Sequence, residues 1–320
     1  MGRAYRRFLL GAIAAVCGLF GTGATAGSGL LCVLVPHFKD EYWLSVAQGI
    51  ETRAAAGHLA VRFFEAGGYQ ALTTQIRQLG ACEALAPDAI LLGAVSSDDP
   101  ALLAAVAAAA ARRPVIGLVN ELHSDALAAR VGVDWFDMGL RLGQYLHGHF
   151  PAGGMPRNTI LLSGPAVSGW VAPLETGLRQ GLEGSAVSIV SVYGADTGTA
   201  EQLRLLETAL AAGPAPDLII GAAPAIEAAM ALLPGMADPP GLAATYVSHT
   251  VARGLVGGRI IAAPYDDPMR QGEMAVDASV DAIAGVTRQA LIGPQITVLT
   301  AGAAPDAFRL SPVGFFPTLD

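Results

Sequence analysis

Charge is scarce in this 320-residue chain: Asp, Glu, Lys and Arg make up 14% of it, and the net charge of -8 is spread without a basic block. A nucleic-acid binder carries a basic patch or stripe, so that class is excluded. Long apolar runs are missing beyond the N-terminus. The stretch 101–111 is apolar but far short of the roughly 20 residues of a membrane span, and reads as a buried, Ala-rich helix. The common enzymatic signatures are missing too. No G-x-x-x-x-G-K-[ST] loop occurs, Gly67-Gly68-Tyr69 lacks dinucleotide spacing, and there is no G-x-S-x-G elbow. His37, His58, His123, His147, His149 and His249 are scattered, and His147 and His149 do not share a helix face, so no zinc site is expected. Nothing assembles a nucleophile with a base. The chain reads as a non-enzyme without a metal or cofactor.

Cysteine is almost absent as well, with three in all. Cys17 lies in what reads as a processing signal over residues 1–26: three arginines by residue 7, an apolar run over 8–20, and an A-x-A site at Ala24-Thr25-Ala26. Cleavage after Ala26 predicts a soluble exported protein, since Cys17 lacks the preceding small residues of a lipoprotein signal. That leaves Cys32, inside the first strand, and Cys82, at the end of the second helix. In an oxidising compartment two such cysteines can pair. Two buried free thiols fit the sequence equally well, because a bridge requires a Cα separation that sequence does not give.

What is abundant is apolar residue, 52% of the chain, much of it Ala and Gly. This suits a large core of closely packed helices, and the length suits two domains. Strands are predicted at 30–36, 60–66, 89–93, 114–119, 130–133, 158–163, 187–193, 217–221, 243–248, 259–263 and 296–299. Helices are predicted at 42–56, 70–85, 100–112, 135–150, 171–182, 199–212, 225–232 and 268–284. Short apolar strands alternating with helices of this length indicate βαβ units and parallel sheets. The fold class is therefore α/β, two doubly wound lobes about a hinge cleft. The ranges expected are 27–120 plus about 250–284 for the N-terminal lobe, and 121–249 plus about 285–320 for the C-terminal lobe.

Aromatics are only 6% of the chain, yet they fall at strand ends. Tyr42 and Trp43 follow the first strand, Tyr69 the second, and Trp135 the strand ending Val131-Gly132-Val133-Asp134. Trp170 lies in the loop after 158–163, Tyr246 near the end of 243–248, and Tyr265 after the next strand. In open α/β sheets ligands bind at the carboxyl ends of the strands. Any one of these rings could be a packing residue; their joint placement points to a site. Faces of Trp and Tyr suit a sugar ring or a methylated cationic nitrogen. The loops are poor in the Arg and Asn forks a sugar requires, while Asp40, Glu41, Asp134, Asp266 and Asp267 supply carboxylates. Asp134 and Asp267 read as helix caps. The balance favours a quaternary-ammonium-like ligand.

Asp40-Glu41-Tyr42-Trp43-Leu44-Ser45, Glu65-Ala66-Gly67-Gly68-Tyr69, Arg130-Val131-Gly132-Val133-Asp134-Trp135 and Gln271-Gly272-Glu273-Met274-Ala275-Val276 resemble the TorT family, and the resemblance spans nearly the whole mature chain. These are periplasmic trimethylamine-N-oxide binding proteins of the type I periplasmic binding protein superfamily. The resemblance implies a ligand in an aromatic box formed by Tyr42, Trp43, Tyr69, Trp135 and Tyr246, with Asp40 beside it. It also implies a partner, the periplasmic sensor domain of a hybrid histidine kinase of the TorS type that controls trimethylamine-N-oxide respiration, and it matches Cys32 and Cys82 to family positions. The Ala166–Pro173 loop with Trp170, and residues 264–269, depart from the family pattern. The alternative is the solute-binding component of an ABC transporter for a sugar or a betaine-like osmolyte.

Overall fold

The computed structural model describes residues 29–319, so the expected signal peptide over 1–26 lies outside the described residues. Two parallel sheets are built in turn. The first holds β1 (Leu30–Val35), β2 (Ala60–Glu65), β3 (Ala89–Leu92), β4 (Val115–Leu118), β5 (Ala129–Val131) and, from the far end of the chain, β11 (Arg288–Ile292). Its order is β11-β5-β4-β3-β1-β2, every pairing parallel. The second holds β6 (Arg157–Ser163), β7 (Val187–Gly194), β8 (Leu218–Gly221) and β9 (Gly241–Ala244) in the order β7-β6-β8-β9, again all parallel. An antiparallel pair, β10 (Ala262–Tyr265) with β12 (Thr297–Thr300), stands beside β9 through Ile261 N–H donating to Leu242 O at 2.8 Å. The central strands are buried along their length, as strands covered by helices on both faces must be.

The helices are α1 (Glu41–Ala56), α2 (Leu72–Ala84), α3 (Pro100–Ala110), α4 (Trp135–His149), α5 (Val171–Gly181), α6 (Thr199–Ala211), α7 (Ala223–Leu232), α8 (His249–Val256) and α9 (Pro268–Ile283). Local sequence starts four of them at an aspartate. Asp40, Asp99, Asp134 and Asp267 each accept a backbone N–H from the first turn of α1, α3, α4 and α9. Small residues then bring helices into backbone contact. A Cβ at Gly49 would sit 2.0 Å from Met269 O and one at Gly272 2.2 Å from Val46 O, which locks α1 to α9. Gly139 against Leu174 O and Gly177 against Phe136 O, both 2.0 Å, lock α4 to α5 in the same way.

Several elements differ from the sequence expectation. The strand expected over 243–248 stops at Ala244, and Ser248 caps a helix, α8, that was not predicted. The strand expected over 259–263 is β10, three residues later, and β11 was not predicted at all. Strand pairing also redraws the halves. β5 and β11 fall in ranges expected for the second lobe, yet β5 pairs in parallel with β4, and β11 with β5. β10, in a range expected for the first lobe, stands with the second sheet. Finally, α3 is not buried all round: Leu102, Val106 and Ala109 are buried, while Ala101, Ala104, Ala107 and Ala108 are exposed.

The chain crosses between halves repeatedly. After α9 and β11 it returns to β12, and residues 301–319 then run back over the first half. There Ser311 N–H donates to Ser45 Oγ (3.1 Å), Phe316 meets Phe38 edge-on (5.6 Å), and Leu319 bridges to Phe63 of β2. The Cys32 and Cys82 sulfurs lie 2.11 Å apart, joined as a disulfide that ties β1 to α2 with a Cα separation of 6.1 Å.

Candidate ligand-binding site

The carboxyl ends of the two sheets face each other, and their loops surround a small cavity of about 20 Å³. It is lined by Asp40, Tyr42, Trp43, Tyr69, Val119, Asn120, Trp135, Trp170, Thr197 and Tyr246. The first half contributes the start of α1 (Asp40, Tyr42, Trp43), the loop after β2 (Tyr69) and the end of β4 (Val119, Asn120). The second contributes the start of α4 (Trp135), the residue before α5 (Trp170), the loop after β7 (Thr197) and the segment after β9 (Tyr246). Each element ends or begins at the sheet edge, so its first loop side chain projects into the gap.

All six sequence-predicted positions, Asp40, Tyr42, Trp43, Tyr69, Trp135 and Tyr246, line this one cavity, each at most 4% exposed. The rings meet edge to face: Tyr42 with Tyr246 (5.4 Å between centroids), Tyr42 with Trp43 (6.1 Å) and Trp135 with Tyr246 (6.4 Å). Trp170, outside the predicted set, stacks at a tilt on Trp135 (5.5 Å) and edge-on to Tyr246 (6.1 Å). Asn120 and Thr197 were also missed, although Asn120 obeys the same strand-end rule as the rings. Tyr265 does not reach the cavity; its hydroxyl is engaged with the backbone of Arg309.

The polar groups of the lining are mostly bonded to one another. Asp40 accepts the Tyr246 hydroxyl (2.6 Å) and the Tyr42 N–H (3.0 Å). Burial pushes the Asp40 carboxyl up, and these two bonds pull it back only in part. The Tyr42 hydroxyl donates to buried Asp266 (2.7 Å) and accepts from Gln271 (3.0 Å). Burial raises Asp266 to about 6. The Tyr69 hydroxyl accepts from the Asn120 amide (3.1 Å). The Trp135 indole N–H is already committed to Val119 O (3.1 Å). The lining holds one carboxylate and no lysine or arginine.

A second set of contacts joins the halves beside the cavity. His37, fully buried after β1, places Nε2 at 3.0 Å from Asp196 Oδ1 and 3.1 Å from Thr197 Oγ1. Asp196, after β7, also accepts the Tyr69 N–H (3.0 Å) across the gap and the Thr197 N–H (2.8 Å) within its own half. Burial raises its pKa, but the His37 contact and these N–H groups outweigh that and leave the carboxyl below its ordinary value. Only glycine fits at 68, where a Cβ would meet Asp196 Oδ2 at 2.3 Å and φ is +154°. Glu41, read from sequence as a possible cleft carboxylate, instead accepts the Thr250 N–H (2.9 Å) at the start of α8 in the opposite half. Among the described residues no cluster of His, Cys, Asp or Glu is arranged to hold a metal ion, and no helix is long and apolar enough to cross a membrane.

Two facing α/β halves that close on a small, ring-lined space form a ligand-binding architecture, and the chain belongs to the family described as periplasmic binding protein domain, whose model matches residues 31–287. Within that family the likeness is to TorT. The Escherichia coli (strain K12) periplasmic protein TorT is 38% identical over 290 residues, covering 90% of this chain and 83% of the relative. The structure of the TorS sensor domain–TorT complex in the presence of TMAO (trimethylamine N-oxide) superposes with a TM-score of 0.80 at 32% identity, covering 92% of this chain and all of that one. An ABC transporter solute binding protein from Bradyrhizobium sp. BTAi1 with bound bis-tris superposes at 0.74 with 35% identity, covering 92% of this chain and 90% of that one.

Proposed function

We propose that this chain is a periplasmic sensing protein that binds trimethylamine N-oxide in the aromatic box and presents the closed state to the sensor domain of a TorS-type histidine kinase controlling trimethylamine-N-oxide respiration. The observation that carries this reading is the concentration of rings. All three tryptophans of the chain and three of its seven tyrosines line one cavity with one carboxylate and no basic side chain. Ring faces attract methyl groups bearing partial positive charge, and Asp40 reinforces that sign. The oxide oxygen needs a donor, and the Tyr69 hydroxyl, which accepts from the Asn120 amide, keeps its own proton to give. The likeness to TorT, one of whose structures is a complex with a sensor domain in the presence of TMAO, supports both ligand and partner.

Magnitude supports a signalling role. A ligand of five heavy atoms gains at most about 1.5 kcal/mol per atom, a ceiling near 7.5 kcal/mol and hence micromolar affinity. Such a ligand shifts a closing equilibrium modestly, and a partner that recognises the closed form adds to the shift. The second reading, solute capture for a transporter, draws on the likeness to the bis-tris-bound transporter protein. Calorimetric titration of the mature protein with trimethylamine N-oxide, glycine betaine, choline and a sugar panel decides between them. Binding of the oxide at micromolar affinity supports the sensing role, and binding of sugars alone overturns it.

A further inference from the structure

Trp170 differs from the other rings in how it is held. It precedes α5, and it caps that helix with no side-chain hydrogen bond. Its six-membered ring lies directly on Gly164 at the end of β6: a Cβ there would fall 2.2 Å from Cζ2 and 2.5 Å from Cη2. Gly169 before it is pressed against the opposite half, where a Cβ would meet Glu121 O at 2.7 Å and the Ser97 Cβ at 2.9 Å. The indole is therefore seated on its own sheet at a point where the preceding residue meets the facing half, and it is 2% exposed. It covers the flank of Trp135 and Tyr246 and lines the cavity with them.

We propose that Trp170 is a specificity-determining residue that sets the length of ligand the box admits. Its indole fills the space into which any substituent longer than a single oxygen on a trimethylated nitrogen would extend. The box then takes compact methylated amine oxides and rejects glycine betaine and choline, which carry the same head on a longer stem. Gly164 is the companion of this device, since only a residue without Cβ leaves the indole room to lie flat. The inference rests on the methylated-nitrogen reading of the site given above.

The test compares wild type with Trp170→Ala, Trp170→Phe and Gly164→Ala by calorimetry against trimethylamine N-oxide, glycine betaine and choline, with near-ultraviolet circular dichroism as a check on folding. Removing the indole is expected to weaken oxide binding about tenfold or more, and to raise choline or betaine affinity to at least that of the oxide. Trp170→Phe should fall between. Gly164→Ala, which drives the indole into the cavity, should lose the oxide without gaining choline. An oxide-to-choline affinity ratio within about threefold of wild type in folded Trp170→Ala overturns the inference and leaves the functional reading standing. If Trp170→Ala does not fold, an unchanged ratio in Trp170→Phe together with unimpaired oxide binding by Gly164→Ala overturns it equally. A wild-type protein that binds none of the three ligands overturns both.

Discussion

Replacing Asp196 by alanine removes one of the junctions between the halves without substituting any ring of the box. The side chain makes two bonds across the gap, to His37 Nε2 and to the Tyr69 N–H, both at 3.0 Å. A hydrogen bond contributes about 0.5–1.5 kcal/mol net, and more where one partner is charged. The Asp196 side chain keeps 15% of its exposure, so its charge is partly screened and the upper range for buried pairs does not apply. Two such bonds at about 1–1.5 kcal/mol each make the closed state roughly 2–3 kcal/mol less favourable, or about 30- to 150-fold in the closing equilibrium. If binding requires closure, apparent affinity for trimethylamine N-oxide falls by the same factor. The pH dependence has a definite sign. The closed-state carboxyl is depressed, so its contribution is present above the ordinary carboxylate range and is lost as pH falls through the lowered value. Calorimetry gives the affinity, and small-angle scattering of the unliganded protein gives the opening. Affinity within about threefold of wild type, with superimposable scattering, would refute the reasoning.

Other groups make separate predictions. Glu227, partly buried on α7 and bonded to Ser248 (2.7 Å), is raised by burial to about 8, so the folded state holds its proton more tightly than the unfolded chain. Stability should therefore decline as pH rises from about 4.5 to 8, and Glu227→Gln should flatten that slope in thermal melts. Tyr246→Phe leaves the buried Asp40 Oδ2 without its donor, and a loss of about 1–3 kcal/mol is expected in denaturant unfolding or ligand affinity. Cys82→Ser opens a 50-residue loop, for which chain entropy gives a loss of up to about 4 kcal/mol, read as a shifted urea midpoint.

The sequence made the lobes legible because β1, β3, β4 and β8 are unbroken apolar runs and three of the helices between them, α1, α3 and α4, begin at Asp caps. The rings were legible because a strand end is a positional signal: an aromatic just past an apolar run can be counted without knowing what it touches. Elements that owe their form to distant partners left no such signal. The eight-residue α8 is shorter than an isolated helix can sustain, and its first turn is completed by Glu41 from the other half. β11 is a five-residue edge strand added to β5 from a point more than 150 residues along the chain. His37 looked like one of six scattered histidines, since its partner Asp196 is 159 residues away. Trp170 was noted as a ring but not placed in the box, because nothing local reveals that Gly164 makes a bed for it.

The glycine contacts between α1 and α9, and between α4 and α5, have a mechanical consequence. Helices seated backbone on backbone leave no compliant layer of side chains to absorb a push, so each half transmits force as a solid piece. If a ligand of a few heavy atoms enters between Trp43 and Trp135, its push is then passed to whole bodies and not lost in local rearrangement. Under the proposed sensing role one stiff body would turn against another, and the small displacement at the rings would grow with distance from the axis, as at the tip of a lever. The outer surface, where a partner would read it, would move furthest.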